Sequence, residues 1–224
     1  LGDAHKPIVY TVDRVRDGSS FSTRNILATQ NGKPIFQMLA SFQIEEPGFD
    51  HAEPMQPVVG PDGLLSEREL WAKYAEQLPD KLRTRAMAER PIELRPVTPI
   101  HPFAPEQSVP DAAVWVRTAG ALPDDQALHR YLLAYCSDFA FLPTSLRPHG
   151  VTWVNPGLQI ASIDHAMWFH RPFRMDDWLL HVMHSPSASG ARGLVRGSVF
   201  SSDGQLVAST AQEGLIRVRT AREP

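Results

Sequence analysis

Three polar side chains sit on faces that are otherwise apolar, and their types suit the activation of a water molecule. Asp138 lies in Tyr135-Cys136-Ser137-Asp138-Phe139-Ala140-Phe141, a stretch of helical character with almost no polar side. A carboxylate buried there must find donors or be kept neutral, and carboxylates in such surroundings often act as general bases. An aspartate in the last helical turn, bonded to a nearby arginine or backbone amide, is the equally open structural reading. Gln212 shares strand parity with Leu206, Ala208, Ile216 and Val218, the apolar face if that strand covers a core. A buried amide needs hydrogen-bond partners, whereas one on a sheet edge simply meets solvent. Ser162 shares parity with Leu158, Ile160, Ala166 and Trp168, although Asp164 falls on the same side. A purely structural serine remains open for it.

Other chemistries find less support. No Gly-x-Ser-x-Gly elbow marks a hydrolase nucleophile, and no Gly-x-Gly-x-x-Gly or Walker loop is present. His165, His170, His181 and His184 match no recognised zinc spacing, so no metal site is expected. Cys136 reads as a small core residue rather than a thiol nucleophile. Trp71 and Tyr74, at helical spacing, read as core or interface rather than as a base-stacking platform.

The elements that would hold these residues include a duplicated strand-turn-strand unit. Gln30-Asn31-Gly32-Lys33 and Ser202-Asp203-Gly204-Gln205 are its two turns, with Gly32 and Gly204 separated by 172 positions. At that offset Arg24 falls on Arg196, Leu27 on Val199, Ile35 on Val207 and Ala40 on Gln212. Asn-Gly and Asp-Gly suit a two-residue type I′ turn, with β-branched arms on either side. The first copy runs from about Pro7 to Gln43 and has no helix before it, so a first unit lacking its front is expected. Residues 47–110 are rich in proline and read as a linker. It contains a helix opened by the Ser66-x-x-Glu69 capping box and a strand at Pro91–Val97. A principal helix is expected from Pro123-Asp124-Asp125 to Pro143, with Tyr131 to Leu142 enclosed by protein. A strand from Leu158 to about Phe169 and the second hairpin, Trp178 to Val218, complete the chain. The expected domains are 1–46, 47–110 and 111–224. The fold class is α+β, with an antiparallel sheet wrapped around a helix as in the hot-dog arrangement.

Composition narrows the function classes. With 224 residues, 42% hydrophobic and 21% charged, the chain can bury a substantial core. A net charge of −3 gives no reason to expect nucleic acid or an anionic membrane as partner. No apolar run approaches the roughly 20 residues a spanning helix needs. The single cysteine, Cys136, excludes an internal disulfide and fits a reducing, cytoplasmic compartment. Apolar sheet left uncovered by an incomplete first unit predicts a homo-oligomer.

The run Gln159-Ile160-Ala161-Ser162-Ile163-Asp164-His165-Ala166-Met167-Trp168-Phe169-His170-Arg171-Pro172-Phe173 resembles the type II acyl-CoA thioesterases, which are double hot-dog hydrolases. The resemblance extends through Tyr135–Asp138, Ser189–Gly193, Val207–Gly214, Arg16–Phe21 and Gln30–Phe36, nearly the whole chain. It implies a water-orienting triad of aspartate, hydroxyl residue and glutamine, which falls on Asp138, Ser162 and Gln212. Serine stands here where many relatives carry threonine. It also implies acyl-CoA as substrate, free fatty acid and coenzyme A as products, and no cofactor. Family members have a further helix ahead of the first hairpin. Two alternatives stand beside this expectation. One is a hot-dog hydratase or dehydratase using His165 and Asp164; the other is a non-catalytic acyl-CoA-binding protein. Arg171, Arg174 and Arg192 lie near the expected site in sequence, so electrostatics does not oppose an anionic substrate.

Overall fold

The structure is a computed structural model that describes residues 2–219. The chain forms two compact units that divide between His51 and Ala52. The first is a three-stranded antiparallel sheet, β1 (Val9–Asp17), β2 (Phe21–Gln30) and β3 (Lys33–Gln43), in that spatial order. Asn31 and Gly32 both take positive φ, 50° and 72°, as a two-residue type I′ turn requires. The buried Gln30 amide ties the segment before β1 to the sheet, donating to the carbonyls of Asp3 and Lys6 and accepting from Asp3 N.

The second unit holds every element of the candidate site. Short helices α1 (Glu67–Ala72) and α2 (Asp80–Met87) precede strands β4 (Ile92–Pro96) and β5 (Asp111–Thr118). The capping box at α1 is formed: Ser66 Oγ accepts from Glu69 N, and the Glu69 carboxylate accepts from Ser66 N. Helix α3 (Gln126–Cys136) follows, then a 3₁₀ helix (Leu142–His149) and strands β6 (Leu158–Ser162), β7 (Ala166–Phe169), β8 (Leu179–Ser189), β9 (Arg192–Ser201) and β10 (Leu206–Val218). The sheet order is β4-β5-β8-β9-β10-β6, with β7 also paired to β10. Side-chain alternation gives this sheet two apolar faces. One face, with Val114, Val116, Met183, Val195 and Val199, packs on Leu133, Cys136 and Phe141 of the helical segment. This is the expected hot-dog arrangement of a curled antiparallel sheet against a helix.

The other face explains what residues 52–110 do. Met55, Val58, Leu64 and Val97 cover Trp115, Leu180 and Phe200, and Trp115 Nε1 donates to Val59 O at 2.8 Å. Part of a stretch read as a linker is therefore packed onto the sheet as a cover. Helix α2 had no counterpart in the sequence reading. Among the described residues, no helix is long and apolar enough to cross a membrane.

Three local expectations are corrected. Helix α3 ends at Cys136, well before Pro143, and buries His129, Leu133 and Cys136 while Tyr131 and Tyr135 are exposed. Only one of its sides meets the sheet, and among the described residues of this unit nothing buries Tyr131 or Tyr135 on the other. The strand expected from Leu158 to Phe169 is broken at Ile163-Asp164-His165. The two hairpins also differ in register. Ser201 N bonds Gln205 O, Gly204 N bonds Ser201 O, and of the turn residues only Gly204 has positive φ, 92°. That turn is one residue longer than Asn31-Gly32. Hence Arg24 lies opposite Ala40, whereas Arg196 lies opposite Ala211 and Gln212 opposite Val195. With Ala40 matched to Gln212, the residue opposite is Arg24 in the first hairpin and Val195, not Arg196, in the second.

Close approach of the helical segment to β9 and β10 depends on glycine. A Cβ at Gly197 would lie 2.6 Å from Thr210 Oγ1 and 2.9 Å from Phe141 Cε2, and closer still to His181 Nε2. Gly197→Ala should destabilise the protein by roughly 1–3 kcal/mol through overpacking. Gly120→Ala, with open space around the new methyl group, should stay within about 0.5 kcal/mol of wild type. Denaturant titration of the two variants checks this, and equal midpoints would refute the packing argument.

Candidate active site

Asp138 follows α3 directly, beyond its last residue Cys136 and its C-cap Ser137. The chain there turns from α3 into the 3₁₀ helix, and Phe141, fully buried, anchors the turn. Asp138 is exposed, contrary to the burial expected for it. It is nevertheless paired. Its Oδ1 accepts from Gln212 Nε2 at 2.7 Å and from Ser162 Oγ at 3.3 Å.

Gln212 comes from the middle of β10, on the inward face with Ala208, Thr210 and Gly214, and its side chain is 1% exposed. Its second Nε2 proton goes to Ser162 Oγ, also at 2.7 Å. Ser162 is the last residue of β6 and is exposed. The break after β6 is opposite Gln212 and Glu213. Ile163 N and Asp164 N both donate to Glu213 O, and Asp164 Oδ1 accepts from Glu213 N at 2.7 Å. Beyond the break, β7 resumes pairing with Ala166 opposite Ala211. The three residues singled out in the sequence thus meet around one amide, reached from a helix end, a strand end and a central strand.

Two further residues join them. His165 Nδ1 is 3.0 Å from Gln212 Oε1, and His165 Nε2 is 2.8 Å from Ser137 Oγ. In the sequence His165 reads as a surface or hydrogen-bonded histidine, and otherwise as a metal ligand or a partner of Asp164; Ser137 carries no expectation there. The Asp164 carboxylate is engaged with the β10 backbone, so the acid–base pair a hydratase would need is not assembled. Among the described residues, no cluster of three or more His, Cys, Asp or Glu side chains could hold a metal ion. Burial pushes the Cys136 thiol up to about 12, which leaves it protonated and unsuited to nucleophilic attack. Arg174 is paired with Asp176 at 3.0 Å and Arg192 with Glu213 at 2.9 Å, so both are engaged close to home.

A cavity of about 400 Å³ lies in the same unit, with Trp71, Tyr74, Leu94, Ala112, Phe139 and Ala140 among its lining residues. The last two directly follow Asp138, so the turn that carries the carboxylate also forms part of an apolar wall. Edge-to-face packing of Trp71 on Trp153, with centroids 5.4 Å apart, fixes the outer side.

Comparison with known proteins finds acyl-CoA thioesterases. A family described as acyl-CoA thioesterase matches residues 81–215, and one described as the acyl-CoA thioesterase N-terminal domain matches residues 2–43. The chain is 41% identical to acyl-CoA thioesterase 2 of Haemophilus influenzae over 96% of its own length and 76% of the relative's. It is 42% identical to human acyl-coenzyme A thioesterase 8, covering 97% of this chain and 70% of that one. The crystal structure of an acyl-CoA thioesterase II from Mycobacterium marinum superposes with a TM-score of 0.79 at 38% identity, covering 98% of this chain and 77% of the other. A hot-dog protein of unknown function from Alicyclobacillus acidocaldarius superposes at 0.70 with 20% identity, over 95% of this chain and 74% of that one, a likeness of fold alone.

Beneath the site, His181 is buried, stacked on Phe141 and bonded to Thr210 Oγ1 at 3.1 Å. Burial, with a smaller contribution from nearby His165, pushes its pKa down to about 3. An unfolded chain takes up this proton near pH 6.5 and the native chain only near 3, so the native state is progressively disfavoured as pH falls across that window. The slope should reach about 1.4 kcal/mol per pH unit from this group. His181→Asn should remove that component, read as the difference in pH dependence of unfolding free energy between the two proteins. Parallel pH profiles would contradict it.

Proposed function

The chain belongs to the acyl-CoA thioesterase family, and from that premise we propose that it hydrolyses fatty acyl-CoA to a free fatty acid and coenzyme A, with Asp138, Ser162 and Gln212 as the catalytic residues. The convergence of carboxylate, hydroxyl and amide within hydrogen-bond reach of one another carries this reading. Asp138 takes a proton from the attacking water, whose oxygen adds to the thioester carbonyl carbon. Collapse of that adduct breaks the carbon–sulfur bond, and the sulfur leaves with a proton as the coenzyme A thiol. Gln212 and Ser162 fix the carboxylate and the approach of the water, a positioning role in which small displacements are costly. The cavity lined by Phe139 and Ala140, with Trp71, Leu94 and Ala112 among its apolar residues, supports a fatty acyl chain as the group bound.

Steady-state assays over a series of acyl-CoA lengths test this. Asp138→Asn should lower kcat by roughly 10²–10⁴-fold. Gln212→Ala and Ser162→Ala should each lower it by at least about tenfold. Ala112→Phe, which fills part of the cavity, should shift the preference to shorter chains. Near-wild-type turnover by Asp138→Asn would sink the assignment of the base. Hydration of an enoyl-CoA without thiol release would favour a hydratase, and tight binding with neither product would favour a non-catalytic binder.

This reading includes a homo-oligomer in a reducing, cytoplasmic compartment, supported by the exposed Tyr131 and Tyr135 of α3 and by the single thiol. Light scattering coupled to size exclusion should give a mass of at least two chains; a monomer at micromolar concentration would refute it.

A further inference from the structure

We propose that His165 is a positioning residue for the reaction, holding the Gln212 amide in the one orientation that serves Asp138 and Ser162. The inference rests on the functional reading above and deepens it. An amide side chain offers an acceptor at one corner and two donors at the other, and rotation by half a turn exchanges them. Asp138 Oδ1 and Gln212 Nε2 are 2.7 Å apart, and a carboxylate accepts only, so the nitrogen must face it. The amide oxygen then faces His165 Nδ1 at 3.0 Å. Two acceptors at that distance would repel, so Nδ1 carries a proton and donates to Oε1.

Ser137 makes this arrangement self-consistent. Its hydroxyl, buried at the end of α3, lies 2.8 Å from His165 Nε2 and 3.0 Å from Ala134 O. With the ring neutral, Ser137 donates to Nε2, which fixes the proton on Nδ1. With the ring protonated, Nε2–H donates to Ser137, and Ser137 donates to Ala134 O. Nδ1–H points to Gln212 in either state. Phe141, edge-on to the His165 ring at 5.8 Å between centroids, holds it from below. The order of contacts is therefore Ala134 O, Ser137, His165, Gln212, then Asp138 and Ser162. If the Nδ1 donor were absent, the flipped amide would set Oε1 against the carboxylate, and the base would lose its orientation.

The test uses the whole protein and three substitutions at one position. Asparagine places an amide N–H close to where Nδ1 sits; glutamine places it one bond further, near Nε2; alanine has neither. His165→Ala and His165→Gln should lower kcat by roughly 10–100-fold with KM nearly unchanged, whereas His165→Asn should stay within about fivefold of wild type. In a Gln212→Ala background, His165→Ala should cost less than about twofold more, because the group it orients is gone. Nitrogen-15 NMR of the histidine rings, a readout independent of turnover, should show the wild-type His165 proton on Nδ1. Wild-type kcat in His165→Ala, equal losses in the asparagine and glutamine variants, full additivity with Gln212→Ala, or a proton on Nε2 alone would each overturn the proposal. If Gln212→Ala were itself fully active, this inference and the triad assignment would both fail. If only Gln212→Ala were impaired, the triad would stand and His165 would have no positioning role.

Discussion

The site depends on a single buried amide whose hydrogen-bonding capacity is matched on every side. Gln212 is 1% exposed, and both of its donor protons and its acceptor oxygen find partners in the same chain. A buried polar group left unsatisfied costs on the order of 1–3 kcal/mol, so this arrangement resists disorder. It also transmits order outward. Asp138 and Ser162 are both exposed, and exposed side chains ordinarily sample several rotamers. Their attachment to a buried, immobile amide gives them fixed positions at the surface, where an incoming substrate can reach them.

That amide is positioned by the sheet and made accessible by the interruption of an edge strand. Glu213 O receives two amide protons from the break, while Glu213 N is satisfied by the Asp164 carboxylate rather than by a ladder bond. The interruption keeps the backbone groups of β10 paired and opens one position of the edge, at which Ser162 and His165 approach Gln212. A continuous edge strand would have presented alternate residues to opposite faces, and these two, three apart, could not both have faced the same amide.

This also explains which parts of the site were legible in the sequence. Asp138, Ser162 and Gln212 stood out because each is polar on a segment whose neighbours are apolar, and that contrast survives in the structure although the expected burial holds only for Gln212. His165 was missed for a definite reason. Parity counted along an unbroken strand from Leu158 to Phe169 puts it on the side away from Ser162, and only the break at Ile163-Asp164-His165 resets that count. No residue in that triplet is a glycine or proline to announce the interruption; within it Asp164 bonds the backbone of the neighbouring strand. The fold was legible in its hairpins and in α3, whose apolar spacing is strong. The covering role of Met55, Val58, Leu64 and Val97 was not, because covering a sheet with irregular chain leaves no periodic signature. Met55, Val58, Leu64 and Val97 are apolar residues scattered among prolines, and only the sheet face of Trp115, Leu180 and Phe200 that they bury gives them a purpose.

The hairpin register carries the same lesson to the origin of the site. Two turns with similar sequences, Asn31-Gly32 and Asp203-Gly204, differ by one residue in length, and Asn31 takes positive φ whereas Asp203 does not. Ser201 supports the longer turn, its hydroxyl accepting from Gln205 N. One residue in a turn moves every cross-strand partner. In the first hairpin the position matching Gln212 is Ala40, opposite the partly exposed Arg24; in the second, the glutamine lies opposite Val195, whose side chain is wholly buried. An amide in the first setting would compete with a charged neighbour and water for its bonds. In the second it meets only the groups that the helix end and the broken edge strand bring to it. The chemistry at Gln212 is therefore a consequence of register as much as of residue type.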